Sequence, residues 1–181
     1  TAQGTAAIAI VRDITERKRA EEAARQHLAE LEALHTVSAA LRGAQTHDEA
    51  LPILLNETLA ALETDAGAIS LYHADSGELI SAVARGWFAQ LDIRPRKPDE
   101  GIGGRVFTTG QTYLSAEFQT DPLTYASLRE QAPPGWGGAC VPIHTGAIMV
   151  GVLYVSMPLP RQITTEQVKL IEALAEMGGA A

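Results

Sequence analysis

Cysteine is nearly absent from this chain: Cys140 is the only one in 181 residues. A single thiol excludes an intrachain disulfide, a four-thiolate zinc site and a cysteine-ligated cluster, and it fits a reducing cytoplasm. Aromatic residues are scarce as well, at 5% of the sequence, which leaves little material for a base-stacking platform. Positive charge is in deficit, with 14 Lys and Arg against 22 Asp and Glu and a formal net charge of −8. Phosphate backbones demand a local excess of cations, so no nucleic-acid partner is expected. Long apolar runs are missing too. The longest, residues 146–155, is about half of what a bilayer-spanning helix requires. No membrane contact is therefore expected, and no secretory signal is read in the first residues. The opening residue is Thr1 rather than methionine, so the expectation is a piece of a longer cytoplasmic protein.

What is present suffices for one ordinary domain, with 46% hydrophobic residues to build its core. Residues 4–11 are short, apolar and rich in β-branched side chains, which predicts a strand. Asp13-Ile14-Thr15 follows, and then a charged run holding Arg17, Lys18, Arg19 and Arg25. Thr15 is the expected N-cap of a long helix. Nothing breaks that helix before Gly43, and Ala20, Ala24, His27, Leu31, Leu34, Ser38 and Leu41 recur at alternating spacings of four and three. Such an a/d seam suits pairing with a second copy; the plain alternative is a helix lying on its own domain. The seam places dimer contacts at His27, Leu31, Leu34 and Leu41. Protonation of facing His27 side chains would loosen it near neutral pH.

Thr46-x-x-Glu49 is a capping-box pattern that opens a second helix, with Leu51, Leu54, Leu55, Thr58, Leu59 and Leu62 on its buried face. Residues 66–73 and 78–84 read as a hairpin. Residues 92–100 read as an exposed, polar loop, 103–109 as a short helix, 113–118 as extended, and 123–129 as helical. Residues 138–144 and 148–156 form a second hairpin, apolar on nearly every residue and hence central and covered. Thr164-x-x-Gln167 repeats the capping box and opens a helix through Met177.

Within this order stand Asp65-Ala66-Gly67-Ala68-Ile69-Ser70-Leu71-Tyr72, Glu100-Gly101-Ile102-Gly103-Gly104-Arg105-Val106, Thr109-Gly110-Gln111, Asp121-Pro122, Val141-Pro142-Ile143 and Gly151-Val152-Leu153-Tyr154-Val155-Ser156. Their order and spacing resemble a GAF domain. The resemblance implies an α+β fold: an antiparallel sheet with helices packed on one face, a small-molecule pocket on the other, and a long coiled-coil-like helix in front. Residues 8–18, with Asp13, Thr15 and Arg17, resemble the last strand and exit motif of a PAS domain. The expected organisation is then a PAS end at 1–15, a signalling helix at 16–43, a GAF domain at 44–177 and a cut linker at 178–181. This arrangement resembles bacterial sensor histidine kinases, with cyclic-dinucleotide synthases such as diguanylate cyclases as the alternative. The resemblance implies a sensory module without catalysis of its own. It would act as a homodimer through its connecting helices and bind a small ligand, or else serve as a ligand-free dimerisation spacer.

Trp87, Phe88, Phe118, Tyr125 and Trp136 fall in the segments that wall the pocket in that family, although aromatics at these positions also serve as plain core. The glycines at 101–104 lack the Lys-Ser/Thr of a phosphate-cradling loop, and tight turns account for them. Cys140 lies among small and apolar neighbours, as a core thiol does. Val141 follows it where bilin-binding relatives usually have histidine. Thiol-based reductases need more than one cysteine. The five histidines lack metal-ligand spacing, so a haem or metal site is disfavoured and no cofactor is required.

Overall fold

The computed structural model describes residues 14–43, 46–92 and 94–180. The predicted strand at 4–11 and Asp13 lie outside the described residues. Helix α1 (Thr15–Leu41) comes first, and α2 (His47–Ala61) follows. The hairpin β1 (Ala66–His73) and β2 (Glu78–Arg85) leads through a short 3-10 turn at Gly86–Gln90 to α3 (Gly101–Thr109), β3 (Tyr113–Ser115) and α4 (Ala126–Gln131). A second hairpin, β4 (Trp136–Thr145) and β5 (Ile148–Pro158), precedes α5 (Thr165–Ala180). The five strands form one antiparallel sheet in the order β2-β1-β5-β4-β3. Long-range pairing of β1 with β5, from Ala66↔Ser156 to Leu71↔Gly151, joins the two hairpins.

Side chains alternate across a strand, and here both faces are covered. Ile69, Ala139, Val141, Ile143, Leu153, Val155 and Met157 meet α1, α2 and α5 on one side. Ala66, Ala68, Cys140 and Val152 meet Phe88, Ile102, Val106 and Phe118 on the other. Both hairpin turns use a left-handed glycine, Gly77 at φ +69° and Gly146 at φ +61°.

The helix starts follow the sequence closely. Thr46 Oγ1 accepts the Glu49 N–H at 3.3 Å. At α5 the box is reciprocal: Gln167 N–H donates to Thr164 Oγ1 at 3.2 Å, and Thr164 N–H to Gln167 Oε1 at 3.0 Å. All six expected positions on the inner face of α2 are buried, and the Thr58 hydroxyl donates to the Leu54 carbonyl at 2.7 Å. Helix α5 runs past Met177 through Gly178 and Gly179. A side chain at Gly178 would strike Leu54, and one at Gly179 the His144 carbonyl, so both glycines serve close packing inside the helix.

Helix α1 departs from expectation in two ways. Ile14 rather than Thr15 occupies its N-cap position, and an isoleucine has no acceptor to offer there. Arg17 pairs with Glu21 one turn on, at 3.6 Å. The expected seam also divides. Leu41 is 7% exposed and, with Val37, belongs to the domain's own core, against which Leu34 packs. The leucine-rich face of α2 and the inner face of α5 supply an apolar bed for that half of the helix, so Leu41 is buried and Leu34 partly covered by the domain itself. His27 stays exposed beside Glu30, 3.6 Å away, and Leu31 is 50% exposed. Leu28, which the seam did not include, is 59% exposed. Among the described residues no helix is long and apolar enough to cross a membrane.

Leu54 is fully buried between sheet and helices. Leu54→Ala is expected to lower unfolding free energy by about 2–5 kcal/mol, while Leu114→Ala, at a side chain 54% exposed, stays within about 0.5 kcal/mol. Urea denaturation followed by circular dichroism measures both.

Candidate functional site

On the face away from α1, α2 and α5 the sheet carries small residues, and a cavity of about 40 Å³ remains above them. Ala68 and Ser70 of β1 and Val152 and Tyr154 of β5 form its floor. Phe88, Leu91, Leu128 and the first turn of α3 form its walls, and Arg96, Glu100 and Tyr125 stand at its mouth. The first turn of α3 packs this closely on the sheet only because it begins with glycines. A side chain on Gly103 would collide with Tyr154 Oη, and one on Gly104 with the Pro98 carbonyl.

Tyr154 organises the floor. Its hydroxyl accepts the Gly103 N–H and donates to Cys140 Sγ on β4. Burial pushes the hydroxyl well above the usual tyrosine range, with Cys140 adding to the effect. Burial also pushes the Cys140 thiol up, against which the hydrogen bond from Tyr154 works only in part. A neutral, buried thiol is a poor nucleophile.

The mouth is built by two segments that differ in kind. Asp121 is 8% exposed and accepts both the Leu123 N–H at 2.9 Å and the Tyr113 hydroxyl at 3.2 Å. It fixes the turn that delivers Tyr125 and α4. Burial, then Asp121 itself, holds Tyr113 above its ordinary value. On the other side, residues 94–97 cross β2 by a single bridge: Leu79 N–H donates to the Arg96 carbonyl at 2.7 Å and Arg96 N–H to the Leu79 carbonyl at 3.0 Å. This anchor turns the Arg96 side chain over the Tyr125 ring, with Cζ 3.5 Å from the centroid. Burial lowers the Arg96 pKa from the usual arginine range to about 10, and it remains a cation at neutral pH.

A family model for the GAF domain matches residues 46–181. The chain belongs to the GAF family. These domains are regulatory and sensory modules. Solved structures agree on the fold. The GAF domain of a phosphoenolpyruvate-protein phosphotransferase from Coxiella burnetii superposes with a TM-score of 0.75 at 19% identity, covering 84% of this chain and 92% of that one. The nlh2 GAF domain of A. aeolicus, in an inactive state, gives 0.71 at 20% identity, covering 85% and 95%. A free methionine-R-sulfoxide reductase from Neisseria meningitidis, in complex with its substrate, gives 0.62 at 17% identity, covering 82% and 89%. No curated protein matches by sequence comparison.

Of the five aromatics expected around the pocket of this GAF domain, Phe88 and Tyr125 line the cavity. The other three do not reach its surface. Trp87 stacks on Phe88 with centroids 3.9 Å apart and donates its indole N–H toward Ser156 Oγ at 3.4 Å. Phe118 is 1% exposed and meets Phe88 edge-on at 6.1 Å. Trp136 packs into the same cluster. They hold the wall from behind. Arg96 and Tyr154 escaped the sequence reading. Tyr154 was findable, since it shares the inward parity of Val152 on β5; Arg96 sits in a polar stretch with no periodicity to mark it.

Two outcomes test this geometry. Cys140 is expected to resist an aromatic disulfide reagent at mildly alkaline pH and to react stoichiometrically in denaturant. Gly103→Ala is expected to cost about 1–3 kcal/mol in wild type and measurably less in a Tyr154→Phe background, where the obstructing oxygen is gone. A double-mutant cycle from denaturant curves reads that coupling.

Proposed function

We propose that this GAF domain is the sensory module of a bacterial signal-transduction protein, with a sensor histidine kinase as its parent. It binds a small ligand in the cavity and relays occupancy through its terminal helices. One observation carries the reading: the cavity and the terminal helices lie on opposite faces of the same strands. Val152 and Tyr154 face the cavity, and Leu153 between them and Val155 after them face the helices. A ligand that fits one arrangement of the floor better shifts the population of that arrangement, and α5 and α1 feel the change through the intervening residues. A second connection runs around the sheet edge, where the Thr112 hydroxyl before β3 donates to Glu172 on α5.

In this reading the domain performs no chemistry of its own and works as a homodimer. The non-catalytic view is supported by the buried, protonated state of Cys140. The dimer is supported by Leu28 and Leu31, exposed one turn apart on α1. Histidine kinase is the parent favoured by residues 8–18, with their likeness to a PAS exit, ahead of a long helix. The size of the cavity favours a second reading. About 40 Å³ is far below the several hundred of a ready-made ligand pocket, as a dimerisation spacer with a collapsed pocket would have.

Native mass spectrometry of protein purified from its own host separates the two. A stoichiometric small-molecule adduct is the expected result, and bare protein supports the spacer. For the dimer, light scattering at tens of micromolar is expected to give twice the chain mass, and Leu31→Asp to give monomer. A wild-type monomer would remove the α1 pairing.

A further inference from the structure

The guanidinium of Arg96 feels the charge of Glu100 but has no hydrogen-bonded or ion-paired counterpart among the described residues. Other arginines that fold back on the domain end on oxygen: Arg85 on Asn56 Oδ1 at 3.0 Å, Arg129 on the Pro122 carbonyl at 2.9 Å, Arg161 on the Leu62 and Glu63 carbonyls at 2.9 Å each. Among the described residues Arg96 makes no side-chain hydrogen bond and no ion pair; its close neighbour is the Tyr125 ring. A cation held largely out of water is costly unless something pairs with it. The ring meets only the face of the guanidinium, and the N–H donors lie in its plane, pointing past the ring. They are available. A second donor waits nearby, since Tyr125 Oη is buried with no partner among the described residues.

Arg96 and Tyr125 also divide one depression into two. Inside is the cavity of about 40 Å³; outside is a cleft of about 510 Å³ that shares Arg96, Glu100 and Tyr125 with it. The cleft carries Arg94, Arg96 and Lys97 against Glu78 and Glu100, so an approaching anion meets a small positive excess. Glu100, at the mouth itself, opposes a second negative charge beside the first. The inner volume limits the rest. One water needs about 10–15 Å³ by this measure, so the cavity takes an apolar group of about three or four carbons.

We propose that the ligand of this GAF domain is a small monocarboxylate. Its short apolar body rests on Ala68, Val152 and Phe88, and its carboxylate is gripped in the plane of Arg96 while Tyr125 stays stacked on the guanidinium face. The proposal rests on the reading of the cavity as a ligand site and adds the charge and size of what enters. Charge-assisted, two-point pairing distinguishes such a ligand from a neutral molecule of the same shape.

Isobutyrate and its neutral isostere isobutyramide are the probes, read by ligand-observed NMR and thermal shift on the 181-residue chain. Isobutyrate is expected to bind at least about tenfold more tightly than isobutyramide. Arg96→Gln is expected to abolish that preference and Arg96→Lys to retain part of it. Ala68→Leu, which fills the floor, is expected to abolish binding of both. Equal binding of acid and amide, both lost in Ala68→Leu, overturns the carboxylate assignment and leaves the ligand site standing. Isobutyrate binding that survives Arg96→Gln or Ala68→Leu overturns it as well, as does binding of neither probe at tens of millimolar. An adduct seen by native mass spectrometry despite such failure would show a ligand site of different chemistry.

Discussion

Strands β4 and β5 have to satisfy two apolar surroundings at once, and the rest of the structure follows from how they do it. Their odd-numbered side chains, Ala139, Val141, Ile143, Leu153, Val155 and Met157, are fully or almost fully buried under the long helices. Their even-numbered ones are smaller or polar-tipped: Gly138, Cys140, Val152 and Tyr154. A one-residue slip in either strand would exchange the two sets. The long register of β4 with β5 and the pairing of β5 with β1 hold the sheet against it. The cavity exists because the second set leaves space that the short helix α3 and the aromatic cluster only partly fill.

That space is shaped by contacts with little tolerance. Gly103 lies against Tyr154 Oη, and Gly138 lies against Phe118. The glycine-rich start of α3 is thereby explained as a packing device: its N–H at Gly103 is already taken by Tyr154. Behind the cavity wall, Trp87, Phe88 and Phe118 brace one another. Arg96 at the mouth lacks such bracing: its backbone is tied to Leu79 and its head lies over the Tyr125 ring. Rigid walls and an arginine at the mouth without a hydrogen-bonded partner make a site that is small, selective in shape and dependent on that charge.

Much of the fold was legible in the chain because the signals are local. Capping boxes at Thr46 and Thr164, turn glycines at Gly77 and Gly146, and the leucine face of α2 each mark an element by themselves. The site was legible only where it lies on such an element or in a family motif. Tyr154 follows from strand parity, and Asp121 stands in a matched motif although its role as a buried acceptor depends on Tyr113 folding onto it. Arg96 could not be found locally, because its importance comes from a bridge to β2 and a ring contributed from near α4. The seam of α1 is ambiguous for a related reason. The periodicity of Leu31, Leu34 and Leu41 records that one face is apolar, and it does not say whether the domain's own helices or another chain covers it.

Coupling between the cavity and the terminal helices is the claim on which the functional reading turns, and the shared strands locate where to look. Hydrogen exchange compared between wild type and Ala68→Leu, with the cavity floor filled, tests it without any ligand. Altered protection in α5, centred on the buried Ile171 and Leu174 of the opposite face, is the result the shared strands predict. A change confined to β1, α3 and the residues around Arg96 would contradict it.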